Sequence, residues 1–347
     1  MRISGRLSGQ LLLPLFFIAV VQLAGCAAPR LQAGDESLVA GKTYVVTGAS
    51  SGFGRGVAER LGALRANVVL VARRTDVLNA VAANARSAGG TPLVVTADVA
   101  KPEDMQRVAD ETVRRFGKID VWINNAGVGA IGRFEEIPVE DHARLVDVNL
   151  KGVIYGSHVA LRRFREQGYG TLVNIGSVES EVPIAYQATY AASKAAVLSL
   201  GRALNEELRL GGMDRIAVST VMPWAADTPF FQHTANYTGR ESRMIAMDEP
   251  GKVVEAIVWA SLHPVEELPV GWKAMGATAS HRLMPDLTEH ISGNISHRVQ
   301  MEQAPPGPRT AGTLHTPVHA GTGIDGGMRE RMAQEKSLRS GAATSGR

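Results

Sequence analysis

Thr43-Tyr44-Val45-Val46-Thr47-Gly48-Ala49-Ser50-Ser51-Gly52-Phe53-Gly54 is the stretch that decides the fold. Its first five residues are β-branched or aromatic and read as a buried strand. The glycines that follow stand where a strand must turn into a helix, and amphipathic helical sequence begins near Arg55. Glycines at such a turn let backbone N–H groups approach a phosphate, and the start of a helix adds favourable positive potential. Gly48, Ser50, Ser51, Gly52, Phe53 and Gly54 are therefore expected to cradle a dinucleotide. A glycine-rich loop alone is a weak signal; its position between a first strand and a helix is what gives it weight.

Outward from this loop, β-branched runs alternate with amphipathic stretches. Strands are expected at 43–47, 67–71, 93–96, 121–124, 171–175 and 216–221, and helices near 55–66, 76–87, 102–116, 139–167 and 188–210. This alternation predicts an α/β class, a doubly wound parallel sheet between two helical layers, with right-handed connections. The second strand runs into Ala72-Arg73-Arg74. A cofactor with a free ribose 2′-hydroxyl calls for a carboxylate here, whereas a 2′-phosphate calls for arginine. NADP is expected over NAD, with Arg73 as the phosphate ligand. Past the third strand, Asp98 either accepts from an adenine amino group or caps the helix starting near Pro102, and Val99 follows it. Asn124-Asn125-Ala126-Gly127 closes the fourth strand, where Asn124 and Gly127 are expected both to tie the strand end and to line the groove, beside Asn125 and Ala126.

Tyr190-Ala191-Ala192-Ser193-Lys194 carries the chemistry. At a separation of four on a helix, the phenol and the ammonium share a face. A nearby positive charge is expected to lower the phenol from its ordinary pKa of about 10 toward working pH, as general acid–base chemistry needs. Thirteen residues upstream, Ser177 follows the strand-like Leu172–Gly176 and is delivered to a sheet edge, where ligands bind in open α/β folds. Asn149, inside the helix before that strand, faces the same problem of proton supply.

Thr47–Gly54, Asn124–Gly127, Asn149, Ser177 and Tyr190–Lys194, in this order, resemble the single-domain Rossmann branch of the short-chain dehydrogenase/reductase family, over roughly residues 41–264. The resemblance implies that Tyr190 is the general acid/base and that Lys194 lowers its pKa and binds the nicotinamide ribose. It further implies that Ser177 donates to the substrate oxygen and that Asn149 holds a water linking Lys194 to solvent. A small carbonyl or secondary-alcohol substrate, NADPH rather than NADH, and a homodimer or homotetramer are the corresponding expectations. A scaffold that binds nucleotide without catalysis is the alternative. Where the family has Pro-Gly, this chain has Pro223-Trp224, so the loop takes another path or the indole narrows the site. Pro223 and Thr228 are still expected at the cofactor. Residues 230–247 read as a substrate lid.

The ends carry separate signals. Arg2 and Arg6 precede 23 uncharged residues, Leu7 to Pro29, which contain Leu23-Ala24-Gly25-Cys26 and the chain's single cysteine. A positive head, an apolar centre and small residues predict a secretory signal. The ending resembles a bacterial lipobox, which would lipidate Cys26. An uncleaved membrane anchor and a misassigned start are the alternatives. Either of the first two makes the protein membrane-associated. One cysteine excludes a disulfide framework, and the net charge of +3 is dispersed with no basic stripe, which argues against nucleic acid. The expected organisation is a signal at 1–29, a linker at 30–41, the main domain at 42–265, a helical extension at 266–303 and a Pro/Gly-rich disordered tail at 304–347. His281, His290 and His297 read as surface residues, with no metal expected.

Overall fold

The computed structural model describes residues 28–335. The expected signal and Cys26 lie outside these residues. A short helix α1 (Ala33–Val39) leads into β1 (Thr43–Thr47), and six further parallel strands complete the sheet. They are β2 (Asn67–Ala72), β3 (Thr91–Thr96), β4 (Val121–Asn124), β6 (Gly170–Ile175), β7 (Ile216–Pro223) and β9 (Glu267–Val270). The spatial order is β3-β2-β1-β4-β6-β7-β9, so the chain winds outward from β1 in one direction and then, from β4, in the other. β5 (Ala130–Ile131) pairs with β8 (Ala235–Asn236), which the one-turn helix α8 (Phe230–His233) precedes, in a separate two-stranded ribbon.

Alternation along β1 explains the three layers. Tyr44 and Val46 point into one core, under α2 (Gly52–Ala63) and α9 (Pro250–Leu262), and Val45 points into the other. The second core lies under α4 (Pro102–Phe116), α6 (Gly152–Gln167) and α7 (Ala188–Leu210), with Met105, Phe164 and Leu208 at its centre. Both faces of the strands are covered, which is why β1 and β4 are buried at every position. α3 (Thr75–Ser87) covers the β2 and β3 edge beside α2.

The helix expected at 139–167 is α5 (Val139–Val146) and α6 joined by a π-helical turn at Asp147–Lys151. Such a widened turn displaces backbone carbonyls from the regular ladder, and it falls on Asn149. The last strand, β9, ends at Val270. Gly271, at φ +79°, breaks it, and α10 (Gly271–Leu283) begins there. α11 (Pro285–Ser296) and a π-helical turn at His297–Gln303 follow. Among the described residues no helix is long and apolar enough to cross a membrane.

The Pro/Gly-rich composition from residue 304 onward predicts disorder. Residues 304–335 instead lie against the domain through backbone hydrogen bonds, which a Pro/Gly-rich composition does not reveal. Thr310 exchanges two bonds with Asn236, at 2.7 and 2.9 Å. Gly323 accepts from the Gly52 N–H at 2.9 Å. The buried Asp227 carboxylate accepts from Met328 and Arg329 N–H at 2.9 and 2.8 Å, capping the helical residues that begin at 328.

Candidate active site

The C-terminal ends of β1, β4, β6 and β7 open on one cavity of about 330 Å³. Gly48, Ser50 to Phe53, Arg73, Asp98, Val99, Asn125 to Gly127, Ser177, Tyr190, Lys194, Pro223 and Thr228 all border it. The β1–α2 turn is built for close approach. Gly48 has φ +69°, and a Cβ on Gly54 would stand 2.3 Å from the Gly48 carbonyl oxygen and 2.5 Å from Asn125 Nδ2. Asn125 locks the same turn by donating to the Thr47 carbonyl at 2.8 Å. At the start of α2 the Gly52 N–H is taken by Gly323, while those of Phe53 and Gly54 have no acceptor among the described residues. These features fit a pyrophosphate.

Asn124 does only half of what was expected. Its amide donates to Ser157 Oγ and Asn174 Oδ1 at 3.1 and 2.9 Å, and its carbonyl accepts from Trp122 Nε1 at 2.8 Å, so it is a buried tie between β4, β6 and α6. It does not border the cavity, because β4 alternation turns it into the core; Asn125 and Gly127 face the groove instead.

The strand-end arginines take unforeseen partners. Arg73 donates to the carbonyls of Thr313 (2.7 Å), Leu314 (3.3 Å) and His315 (3.0 Å) in the C-terminal segment. Arg74, more buried, donates to Ser50 Oγ (2.9 Å), Ser51 Oγ (3.2 Å) and the Val318 carbonyl (2.7 Å). Neither has an ion-pair partner among the described residues, and burial disfavours the charge of each. Asp98 accepts from Ala100 N–H at 3.0 Å and from Arg144 Nη2 at 2.6 Å. It therefore caps its own turn and an arginine, whereas the α4 region is tied by Asp104 accepting from Asp98 N–H. Burial would raise the Asp98 pKa, but the bonds from Ala100 and Arg144 outweigh this and hold it low.

At the other end of the cavity, β6 delivers Ser177 and α7 delivers Tyr190 and Lys194. Lys194 is buried; its Nζ donates to the Ile175 carbonyl at 2.7 Å and lies 5.7 Å from the centre of the Tyr190 ring. Burial pushes the Lys194 pKa down to about 8, against the opposing pull of Glu179. Tyr190 lies deep in the protein, although its open side on the cavity leaves it half-accessible, and it packs against Phe230. Desolvation and then the Glu179 charge raise its pKa; the Ser177 hydroxyl opposes them. The expected lowering by Lys194 is therefore absent in this state, because the ammonium is turned to a carbonyl and is itself poorly solvated.

Asn149 is wholly buried and saturated. It accepts from Val128 N–H at 2.8 Å and donates to the Val128 carbonyl and Ser193 Oγ at 2.9 and 3.2 Å. Its side chain fixes the loop after β4, and Asn149 does not border the cavity. Asn149 Oδ1 and Lys194 Nζ lie 3.6 and 3.7 Å from where a Gly127 Cβ would stand. Trp224 leaves the cavity open: its Nε1 donates to the Ala246 carbonyl at 3.1 Å, turning the indole to the rim. Thr228 is buried beside Gly52. His281 pairs with Glu289, and His297 with the Tyr186 hydroxyl.

Sequence reasoning missed Glu179, which is buried two residues beyond Ser177, and the C-terminal segment. A carboxylate two residues after a strand-end serine was a readable signal for the first. The segment carried none beyond its length.

A nucleotide cradle and a serine, tyrosine and lysine on one cavity define a dinucleotide-dependent oxidoreductase site. The family model "short chain dehydrogenase" matches residues 42–238, and the chain belongs to that family. It is 30% identical over 307 residues to an uncharacterized oxidoreductase, YxnA, of Bacillus subtilis, covering 86% of this chain and 85% of that protein. A 3beta-hydroxysteroid dehydrogenase 1 of Eggerthella lenta is 37% identical over 191 residues, 54% of this chain and 72% of that one. Among solved structures, a short chain dehydrogenase/reductase from Burkholderia phymatum in complex with NAD superposes with a TM-score of 0.64. It has 26% identity, with 72% of this chain and 95% of that chain covered. An alcohol dehydrogenase from Thermococcus sibiricus complexed with 5-hydroxy-NADP gives 0.57 at 27% identity, covering 65% and 94%.

Proposed function

We propose that the chain is an NADP(H)-dependent oxidoreductase that interconverts a carbonyl and a secondary alcohol. The observation that carries this reading is the gathering of Ser177, Tyr190 and Lys194 on one wall of the cavity whose far end is the Gly48–Gly54 turn. When bound, a nicotinamide cofactor supplies or accepts the hydride. Tyr190 gives its phenolic proton to the carbonyl oxygen during reduction and takes it back during oxidation. Ser177 donates a hydrogen bond to that oxygen as negative charge builds on it. Lys194, freed from Ile175, binds the ribose and stabilises the phenolate. Phe53 and Gly54 N–H groups hold the pyrophosphate.

The preference for a 2′-phosphate is supported by Arg73 and Arg74, two partly or fully buried guanidinium groups whose present partners are carbonyls and hydroxyls rather than carboxylates. Arg74, already on Ser50 and Ser51, is the better placed ligand. The chain is expected to act as a homodimer or homotetramer, which sedimentation would reveal. Titration with NADPH and NADH tests the cofactor reading. NADPH should bind more tightly, and R74L should weaken NADPH about tenfold, the equivalent of roughly 1.4 kcal/mol, with less effect on NADH. Equal affinities in the native protein would refute it.

A further inference from the structure

Glu179 stands in the 3-10 turn Val178–Ser180, which Ser177 starts by accepting the Glu179 N–H at 3.1 Å. Its side chain is 5% exposed and borders the same cavity as Tyr190 and Lys194. Oε2 is shut from solvent and has no hydrogen-bond partner among the described residues. Lys194 Nζ, the nearest cation, is spent on the Ile175 carbonyl. A buried carboxyl without a partner is costly, and natural folds keep such a group where a ligand completes it.

We propose that Glu179 is a substrate-binding residue that receives a hydroxyl carried close to the reacting carbon, so that the substrate is a hydroxyketone or, in the reverse direction, a diol. This inference rests on the oxidoreductase reading above. The charge around the group selects the partner. Lys194 and Tyr190 are the titratable groups that face it, and Lys194 already places a poorly solvated ammonium in the site. A substrate ammonium would be repelled there. Burial pushes the Glu179 carboxyl up to about 8, with Lys194 opposing, so near neutrality it is largely a neutral acid. A neutral carboxyl both donates and accepts, which matches a hydroxyl. Most of the wall around it is apolar, with Ile184, Phe230, Met244, Ile245 and Val299 beside Gln187 and Arg243, so the rest of the substrate is mainly hydrocarbon-like.

The test compares an α-hydroxyketone with the ketone of the same skeleton lacking the hydroxyl, using the full chain and NADPH. The native protein should favour the hydroxyketone in kcat/KM by about tenfold or more, because a site that pairs with a hydroxyl rejects the analogue without it. Glu179→Leu should bring that ratio toward one, and Glu179→Gln, which keeps shape and hydrogen bonding, should leave an intermediate ratio. A native ratio near one, or an unchanged ratio in E179L, overturns the inference. Calorimetric binding of the two ketones to the NADPH complex decides the matter if neither is turned over. In that case the ketone panel with the native protein and Y190F decides the oxidoreductase reading separately, while tighter binding of the hydroxyketone, lost in E179L, still supports the role of Glu179. Equal binding overturns it.

Discussion

Asp227 is the point at which the C-terminal segment is fastened. Its carboxylate is buried and accepts two backbone N–H groups, from Met328 at 2.9 Å and Arg329 at 2.8 Å. Asp227→Asn keeps the shape but turns an amide N–H toward one of these donors and removes the charge. A hydrogen bond to a charged group contributes about 1.5–3 kcal/mol, and a buried donor left without an acceptor costs about 1–3 kcal/mol. The variant should therefore ease local opening of residues 322–335 by about 2–4 kcal/mol. At about 1.4 kcal/mol per tenfold, that is roughly 30- to 1000-fold faster amide exchange there. The sheet should be unaffected, since the Asp227 backbone still pairs with Asp248. Hydrogen exchange read by mass spectrometry makes the comparison. Unchanged protection at 323–329 in D227N would refute the reasoning, because the carboxylate would then not be what holds the segment. Gly323, within that stretch, accepts the Gly52 N–H of the glycine-rich turn, so D227N should also speed NADPH dissociation in stopped-flow fluorescence.

Other expectations follow from single contacts. Gly54→Ala sets a Cβ against the Gly48 carbonyl and Asn125, and should abolish NADPH binding while leaving the circular dichroism spectrum of the sheet intact; retained affinity would show that the turn has slack. Asp248 should make stability sensitive to acid. Burial raises its pKa, but hydrogen bonds from Lys273 and Lys252, at 2.7 and 2.9 Å, outweigh that and hold it below 3.8. A depressed folded pKa gives stability that is present above the ordinary carboxylate range and lost as pH falls through the lower folded value. The thermal midpoint should therefore drop on acidification below about pH 4, and K273M should flatten that drop; an identical profile would remove Asp248 from the account. Arg73→Leu should speed amide exchange at residues 313–315, read by mass spectrometry, since the Thr313 and His315 carbonyls lose their donor and Leu314 keeps only Arg144.

Most of the sheet was legible because its strands are buried on both faces and flanked by helices of regular period. β1 and β4 were bounded correctly by their β-branched and aromatic runs and the polar or glycine residues after them. What escaped was set by contacts distant in sequence. Gly271, at positive φ, ends a strand, β9, inside the stretch read as a helical extension. Asn124 and Asn125 are adjacent and chemically identical, yet strand alternation sends one into the core and the other to the groove. At the site, Ser177, Tyr190 and Lys194 were readable from spacing, but the electrostatics were not. A lysine one turn from a tyrosine suggested a lowered phenol pKa, whereas burial and Glu179 raise it. The C-terminal segment was unreadable because its attachment runs through main-chain groups, which any sequence offers.

The central claim is that Tyr190 moves the proton that accompanies hydride transfer. Its most direct measurement is NADPH oxidation by a panel of ketones with the native protein and Tyr190→Phe, each first checked for equal NADPH affinity. The account predicts turnover by the native protein and a loss of about 100-fold or more in kcat for Y190F, the scale of general acid–base catalysis. Turnover in Y190F within a few-fold of native would contradict it.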